Sequence, residues 1–367
     1  MPRSLDLIRR KGKSSVSKKG EEDEISLNGA EKEVEIPKNN IEEEEIMIKP
    51  LTPPEKSAVL AEIDDKGGLY FEAVPLVEMV FENLRLGSKI NLGAVNELAG
   101  AFIESIRRNN SLLVKALFHK IDKFSIVYHS INVCIFSVKL GLSLRYEKDE
   151  IEKLALAGLL HDVGKIFISK EILIKPSNLS REEIDTLKQH PVLGYNAILK
   201  SLGEEYLWLA EIVKQENERE DGSGYPEGLR GDGIHEFAKI IGIVDIYEAL
   251  THQRPQRSKF TPFHAVKMII STFKNAFPTH ISKALVGELS AFPIGSFVKL
   301  NSNEIGRVLE TNTLAPLRPK IEILYDSSGR KLHSSRIVDL NDHSILYITS
   351  PVFFNEKGFF EVEKDEE

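Results

Sequence analysis

The chain is 367 residues long and 41% hydrophobic, with a formal net charge of -8 and a single cysteine. Length and apolar content allow one large domain with smaller attachments. The acidic balance argues against a general nucleic-acid or anionic-membrane binder, since both need a basic face. The lone Cys134 excludes an intramolecular disulfide and a cysteine-based zinc knuckle, and fits a reducing cytoplasm.

Residues 1–55 run from a basic cluster at Arg9, Arg10 and Lys11, through the acidic run Glu42 to Glu45, to Pro50, Pro53 and Pro54. Such a segment buries too little apolar surface to offset its ordering entropy, so a disordered tail is predicted, its opposed charge blocks able to recruit a partner. Over 56–118 the spacing of Val59, Leu60 and Ile63, then of Val77, Val80, Phe81 and Leu84, predicts helices with one apolar face, an N-terminal packing segment. Helical patterns follow at 131–144, 150–160, 181–189, 192–202, 206–214, 237–251 and 262–273, and Ser180 with Glu183 three residues on reads as a capping box. An all-α core over 119–291 is therefore expected. Short alternating runs at 297–300, 305–309, 321–325 and 345–348, separated by turn residues, predict a small β-barrel-like module over 292–350, followed by an acidic tail over 351–367. No apolar run reaches the ~18–20 residues that span a bilayer, and the basic start has no apolar stretch after it. The expectation is a cytoplasmic protein without a transmembrane segment.

The strongest chemical signal is the segment Leu159 to Lys165, where an Ala- and Leu-rich helix ends in His161 and Asp162, followed by Gly164 and Lys165. Neighbouring residues on a helix point ~100° apart, so both can meet one metal cluster only near a helix end, and Gly164 supplies that end. Its company strengthens the signal. His129 lies upstream at a helix entry, His190 stands between two helices before Pro191, and Asp245 is embedded in the apolar run 240–244. A carboxylate in such surroundings is costly to bury unless paired or bound to a cation.

The order His129, His161-Asp162, Asp245 resembles the four-ligand signature of the HD phosphohydrolase superfamily, and Asp221-Gly222-Ser223-Gly224-Tyr225-Pro226 resembles the loop that names its HD-GYP branch. His190-Pro191 with Gly194, the segment Asp245 to Thr251, Arg254 to Arg257, and Phe292 to Gly295 extend the resemblance over roughly 110–350. It implies a mainly α, HD-type helical bundle acting in bacterial signal transduction as a cyclic di-GMP phosphodiesterase. His129, His161, Asp162 and Asp245 would hold a first divalent metal, and Asp162 would bridge to a second held by His190 and Glu216. Iron or manganese, one or two ions per chain, would suit such mixed ligands. Asp162 and Lys165 would be catalytic, Lys165 lying against the scissile phosphate and a metal-activated hydroxide attacking it. Gly222, Gly224, Tyr225, Pro226, Arg254 and Arg257 would bind the cyclic dinucleotide. Signalling proteins are possible partners; nucleic acid is not expected.

The sequence departs from that pattern where the family carries two adjacent histidines before a glutamate: here the residues are Glu216, Asn217 and Glu218. Glu216 can ligate through oxygen, whereas Asn217 offers only a neutral amide oxygen. The position of a third-metal glutamate is Ser125, and Gln256 stands where tyrosine is frequent. Two readings stay open: a phosphodiesterase of reduced activity, and a catalytically inactive module that binds cyclic di-GMP or a partner protein. His119, His235, His252, His264, His280, His333 and His343 read as surface or capping residues, Trp208 and Phe136 as core, and Arg230 as part of a solvated turn.

Overall fold

A computed structural model describes residues 68–119, 125–254, 259–354 and 360–362, with side chains described as far as 352. The expected tail over 1–55, and Gln256 and Arg257, lie outside them. Twelve α-helices come first among the described residues: α1 Leu69–Leu86, α2 Gly93–Arg108, α3 Ser111–Phe118, α4 Ile126–Ser143, α5 Lys148–Leu160, α6 Lys170–Leu173, α7 Arg181–Leu187, α8 His190–Leu202, α9 Leu207–Gln215, α10 Glu236–Thr251, α11 Pro262–Thr272 and α12 Thr279–Glu288. Strands β1 Phe297–Leu300, β2 Ile305–Glu310, β3 Lys320–Tyr325, β4 Lys331–Asp339, β5 Ile348–Phe354 and β6 Phe360–Val362 follow.

Helices α4 and α10 are apolar almost all round, as a helix enclosed by neighbours must be. They form the centre on which α1, α5 and α12 pack, and both carry site residues. Helix α4 starts five residues before the apolar pattern at 131–144, because its first turns contain His129 and Ser130, polar groups that are buried. At 18 residues and mean hydropathy 1.4 it is long and apolar enough to cross a membrane, which corrects the expectation that no such run exists. It is 72% buried inside the protein, and His129, Ser130, Asn132 and Ser137 on it are buried polar residues. The predicted capping box is present, Ser180 and Glu183 exchanging side-chain to backbone hydrogen bonds; Thr261 also accepts from the His264 backbone ahead of Pro262.

The C-terminal module is an open antiparallel sheet of order β4-β3-β2-β1-β5-β6, not a barrel. Alternation along a strand reports one buried face, whereas closure depends on strand number and stagger. The register sets Ile321 opposite Val308 on one side and Val338 on the other, so apolar residues line one face. Strands β5 and β6 carry the sheet past residue 350, where an acidic tail was expected. The run 345–348 joins a strand only at Ile348, with Ile345 and Tyr347 exposed. Phe263 of α11 stacks on Phe292 at 5.3 Å, fastening the helical body to this module.

Candidate metal centre

Five helices bring the site together. Helix α4 contributes His129, the C-terminal end of α5 His161 and Asp162, the start of α8 His190, and α10 Asp245, while Glu216 follows directly on α9. Gly164 permits the closest approach. A Cβ there would collide with the His190 carbonyl oxygen and stand 2.6 Å from the Gly194 nitrogen, so only glycine lets the 3-10 turn after Asp162 pack against the first turn of α8.

The ligand atoms form two groups that share Asp162. His129, His161, Asp162 and Asp245 offer atoms all within 4.8 Å of one another, and so do Asp162, His190 and Glu216. Asp162 Oδ2 faces the first group, 3.1 Å from His129 Nε2 and 3.5 Å from His161 Nε2; Oδ1 faces the second, 3.3 Å from His190 Nε2. Asp245 Oδ1 is 3.1 Å from His129 Nε2, and Glu216 Oε1 is 3.3 Å from His190 Nε2.

Each imidazole is held by its other nitrogen. His161 Nδ1 donates to the Gly158 carbonyl at 2.8 Å, His190 Nδ1 to the Leu187 carbonyl at 2.7 Å, and His129 Nδ1 to Glu248 Oε2 at 2.6 Å. With Nδ1 engaged in all three, the Nε2 lone pairs converge on the carboxylates, the orientation that a metal-ligating histidine needs. Asp162 Oδ1, Glu216 Oε2, Asp245 Oδ1 and His161 Nε2 are buried and make no hydrogen bond of normal geometry among the described residues. Orphaned buried acceptors of this kind call for a cation.

The electrostatics agree. Burial alone would lower the His129 imidazolium, but Glu248, Asp162 and Asp245 beside it hold it up at about 10. Burial pushes the Glu216 carboxyl up to about 8, with Asp245 and Asp162 adding to the rise. Burial lowers His190 to about 4, helped by Lys165. Asp162, despite its burial, is held well below the usual carboxylate range by Lys165 and His161. The cluster thus draws protons to His129 and Glu216, where a divalent cation would supply the compensating charge. These residues fit a metal ion.

Lys165 is buried in the centre, its ammonium bonded to Asp162. The loop stands over the second group: the Tyr225 ring lies 6.2 Å from the His190 ring, with Lys188 Nζ 5.5 Å from the Tyr225 ring centroid and Pro226 exposed. Glu218 fixes the loop by accepting from the backbone N–H groups of Glu227, Gly228 and Leu229 at 2.7 to 3.0 Å, a bracing role its sequence position did not disclose. Gly222 lies against the Arg230 side chain, which has an exposed position as expected. A Cβ at Gly224 would meet the Glu218 Cα and stand 2.5 Å from the Arg219 nitrogen. Gly224→Ala is therefore expected to destabilise the protein by about 1–3 kcal/mol through overpacking. Urea unfolding checks this, with Gly100→Ala, on a helix with open space, expected not to destabilise.

Arg254, expected to bind the cyclic dinucleotide, is buried and donates to Glu248 Oε2 at 2.5 Å. One expectation is corrected. His252, expected at the surface, is half-buried and donates to the Ala116 carbonyl at 2.9 Å, 3.4 Å from Glu248 Oε1. Glu248 itself was missed. It lies three residues after Asp245 in the same apolar helix, so the desolvation argument that singled out Asp245 applies to it equally.

An HD domain model matches residues 122–277, which contain every ligand of both groups, and a model for a KOW domain associated with HD domains matches 297–358. The chain carries an HD domain. It is 27% identical over 288 residues to a cyclic di-GMP phosphodiesterase of Pseudomonas aeruginosa, covering 78% of this chain and 69% of that protein. It is 25% identical over 278 residues to the cyclic di-GMP phosphodiesterase PdeB of Borreliella burgdorferi, covering 75% and 70%. A 3'3'-cGAMP-specific phosphodiesterase of Vibrio cholerae is 36% identical over 123 residues, 34% of this chain and 27% of that one. Among solved structures, an HD-GYP protein of Bdellovibrio bacteriovorus is similar at TM-score 0.49 and 20% identity, covering 62% of this chain and 75% of that one.

Proposed function

We propose that this chain is an HD-GYP-type, divalent-metal-dependent phosphohydrolase that opens a phosphodiester bond of a cyclic dinucleotide, cyclic di-GMP being the expected substrate. The observation that carries this reading is the Asp162 carboxylate, one oxygen in each ligand group, with three imidazoles turned inward around it. His129, His161, Asp162 and Asp245 would hold one ion and Asp162, His190 and Glu216 another. When bound, such a pair supplies an acidified water and neutralises phosphate charge. Imidazole and carboxylate donors suit iron or manganese. Lys165 places an ammonium beside Asp162, where it can meet a phosphate oxygen. Tyr225 gives the pocket an aromatic wall next to His190, against which a base or ribose can pack. The relatives named for cyclic di-GMP support the substrate class, and the relative named for 3'3'-cGAMP sets the competitor to test.

A second reading, a module that binds the dinucleotide or a signalling partner without cleaving it, is favoured by one observation. The Asn217 amide nitrogen contacts Glu216 Oε1 and lies 3.2 Å from His190 Nε2, so a neutral amide stands at the second group. Chromatography of anaerobic incubations separates the readings. Protein loaded with Mn2+ or Fe2+ is expected to convert cyclic di-GMP to linear dinucleotide and GMP, faster than it converts 3'3'-cGAMP. A metal-loaded protein that binds cyclic di-GMP and releases no product would overturn the hydrolase reading and leave the binding module.

A further inference from the structure

The geometry points to Tyr70 of the N-terminal helix as a positioning residue for the metal centre, acting on His129 through Asn132 and Glu248. This rests on the reading above that His129 holds a metal, and it adds a part of the chain outside residues 122–277, which the HD domain model matches.

Four buried groups form one directed chain. Tyr70 on α1 donates its hydroxyl to Asn132 Oδ1 at 2.7 Å. Asn132 Nδ2 donates to Glu248 Oε1 at 3.1 Å, and Glu248 Oε2 accepts from His129 Nδ1 at 2.6 Å. Tyr70, Asn132, Glu248 and His129 are all 2% exposed or less. Asn132 and His129 stand three residues apart on α4, hence on one face of the helix, and so reach the same carboxylate.

The donor and acceptor roles admit one arrangement. Glu248 Oε2 accepts from the Arg254 guanidinium, which can only donate, and Glu248 Oε1 faces the Asn132 amide nitrogen at 3.1 Å. Asn132 must then present its NH2 to Glu248 and its carbonyl oxygen to α1, and Tyr70 must donate. At the other end His129 must carry its proton on Nδ1, which leaves Nε2 to face Asp162 and Asp245 at 3.1 Å. Arg254 steadies the same carboxylate oxygen that His129 uses, but it fixes neither the Asn132 amide nor the second oxygen. Without the Tyr70 hydroxyl, the Asn132 oxygen is buried with no donor and the amide is anchored only at its Glu248 end. Glu248 Oε1 is then held less firmly, by that amide and by His252 Nδ1 3.4 Å away, and so is the carboxylate that His129 uses. Helix α1 is thus a determinant of the centre as well as a packing element.

The effect is read directly as Mn2+ affinity, with free Mn2+ followed by electron paramagnetic resonance during titration of the full chain. Partners outside the ligand set of a metal typically change its affinity 10–100-fold. Tyr70 stands two groups away from the ligand, so Tyr70→Phe is expected at the lower end, a loss of about tenfold. Glu248→Gln, which leaves one acceptor oxygen for the His129 and Asn132 donors together, should lose more. Tyr247→Phe is the control: Tyr247 is fully buried on α10, and its hydroxyl is directed at the Leu289 carbonyl, away from this chain of bonds. Melting of each variant in chelator shows that all are folded at the titration temperature. Weakening in Tyr70→Phe but not in Tyr247→Phe supports the inference. Equal affinity of Tyr70→Phe and the parent, or equal weakening in both tyrosine variants, overturns it while leaving the metal site standing. A parent chain that takes up no Mn2+ overturns the metal reading and this inference with it.

Discussion

Asp162→Ala and His161→Ala are each expected to strip the bound metal, with affinity reduced by more than about 100-fold, beyond the range usual for groups outside the ligand set. Asp162 has the larger consequence because one carboxylate serves both ligand groups, Oδ2 toward His129 and His161 and Oδ1 toward His190. Its removal also leaves the buried Lys165 ammonium without its carboxylate, a change that costs about 3–5 kcal/mol when a buried pair is broken. Asp162→Asn keeps the volume, and His161→Ala leaves the Lys165 pair intact, so loss of metal in these two separates ligand chemistry from unfolding. Elemental analysis of the desalted proteins gives the answer. Unchanged stoichiometry in both Asp162→Ala and His161→Ala would mean that metal, if present, sits elsewhere.

The double change Glu216→His with Asn217→His is expected to raise second-metal binding and hydrolysis together, by at least about tenfold, since even groups outside the ligand set are worth 10–100-fold. The backbone at these two positions is fixed on both sides. The Arg219 guanidinium donates to the Glu216 carbonyl at 2.9 Å, and the Tyr225 N–H donates to the Asn217 carbonyl at 3.2 Å. The repair therefore changes the donors and leaves their placement. His190 and Asp162 stay in position, and an imidazole at 217 is a stronger ligand for a transition metal than the neutral amide there. Metal content and the rate of linear-product formation are measured side by side. A variant that binds no additional metal and cleaves no faster would show that more than these two donors separates this chain from an active phosphodiesterase, and would favour the binding module.

The helical body was legible because apolar periodicity and caps such as Ser180 with Glu183 act locally. What was missed was non-local or masked by polarity. Strand β4 reads Lys-Leu-His-Ser-Ser-Arg-Ile-Val-Asp and is exposed over most of its length, so as an edge strand it carries little of the alternation that marks a half-buried one. The sheet's openness depends on how strand ends meet, which alternation does not record. In the site, the metal-type ligands were named from residue order, and the structure brings His129, His161, Asp162, Asp245, His190 and Glu216 into two adjoining groups. Their supporting shell was not visible in the same way. Arg254 is six residues from Glu248, and only the fold closes one onto the other. Tyr70 is 62 residues from Asn132, and no local pattern predicts that hydrogen bond. Glu248 was within reach, since a second carboxylate in the apolar run 240–250 raises the same question as Asp245.

The most direct measurement is an anomalous difference map from crystals grown with Mn2+. A peak bounded by His129 Nε2, His161 Nε2, Asp162 Oδ2 and Asp245 Oδ1 is predicted, with any second peak between Asp162 Oδ1, His190 Nε2 and Glu216. A map with no peak among these residues, from protein that retains Mn2+ in solution, would contradict the assignment of this cluster as the metal centre.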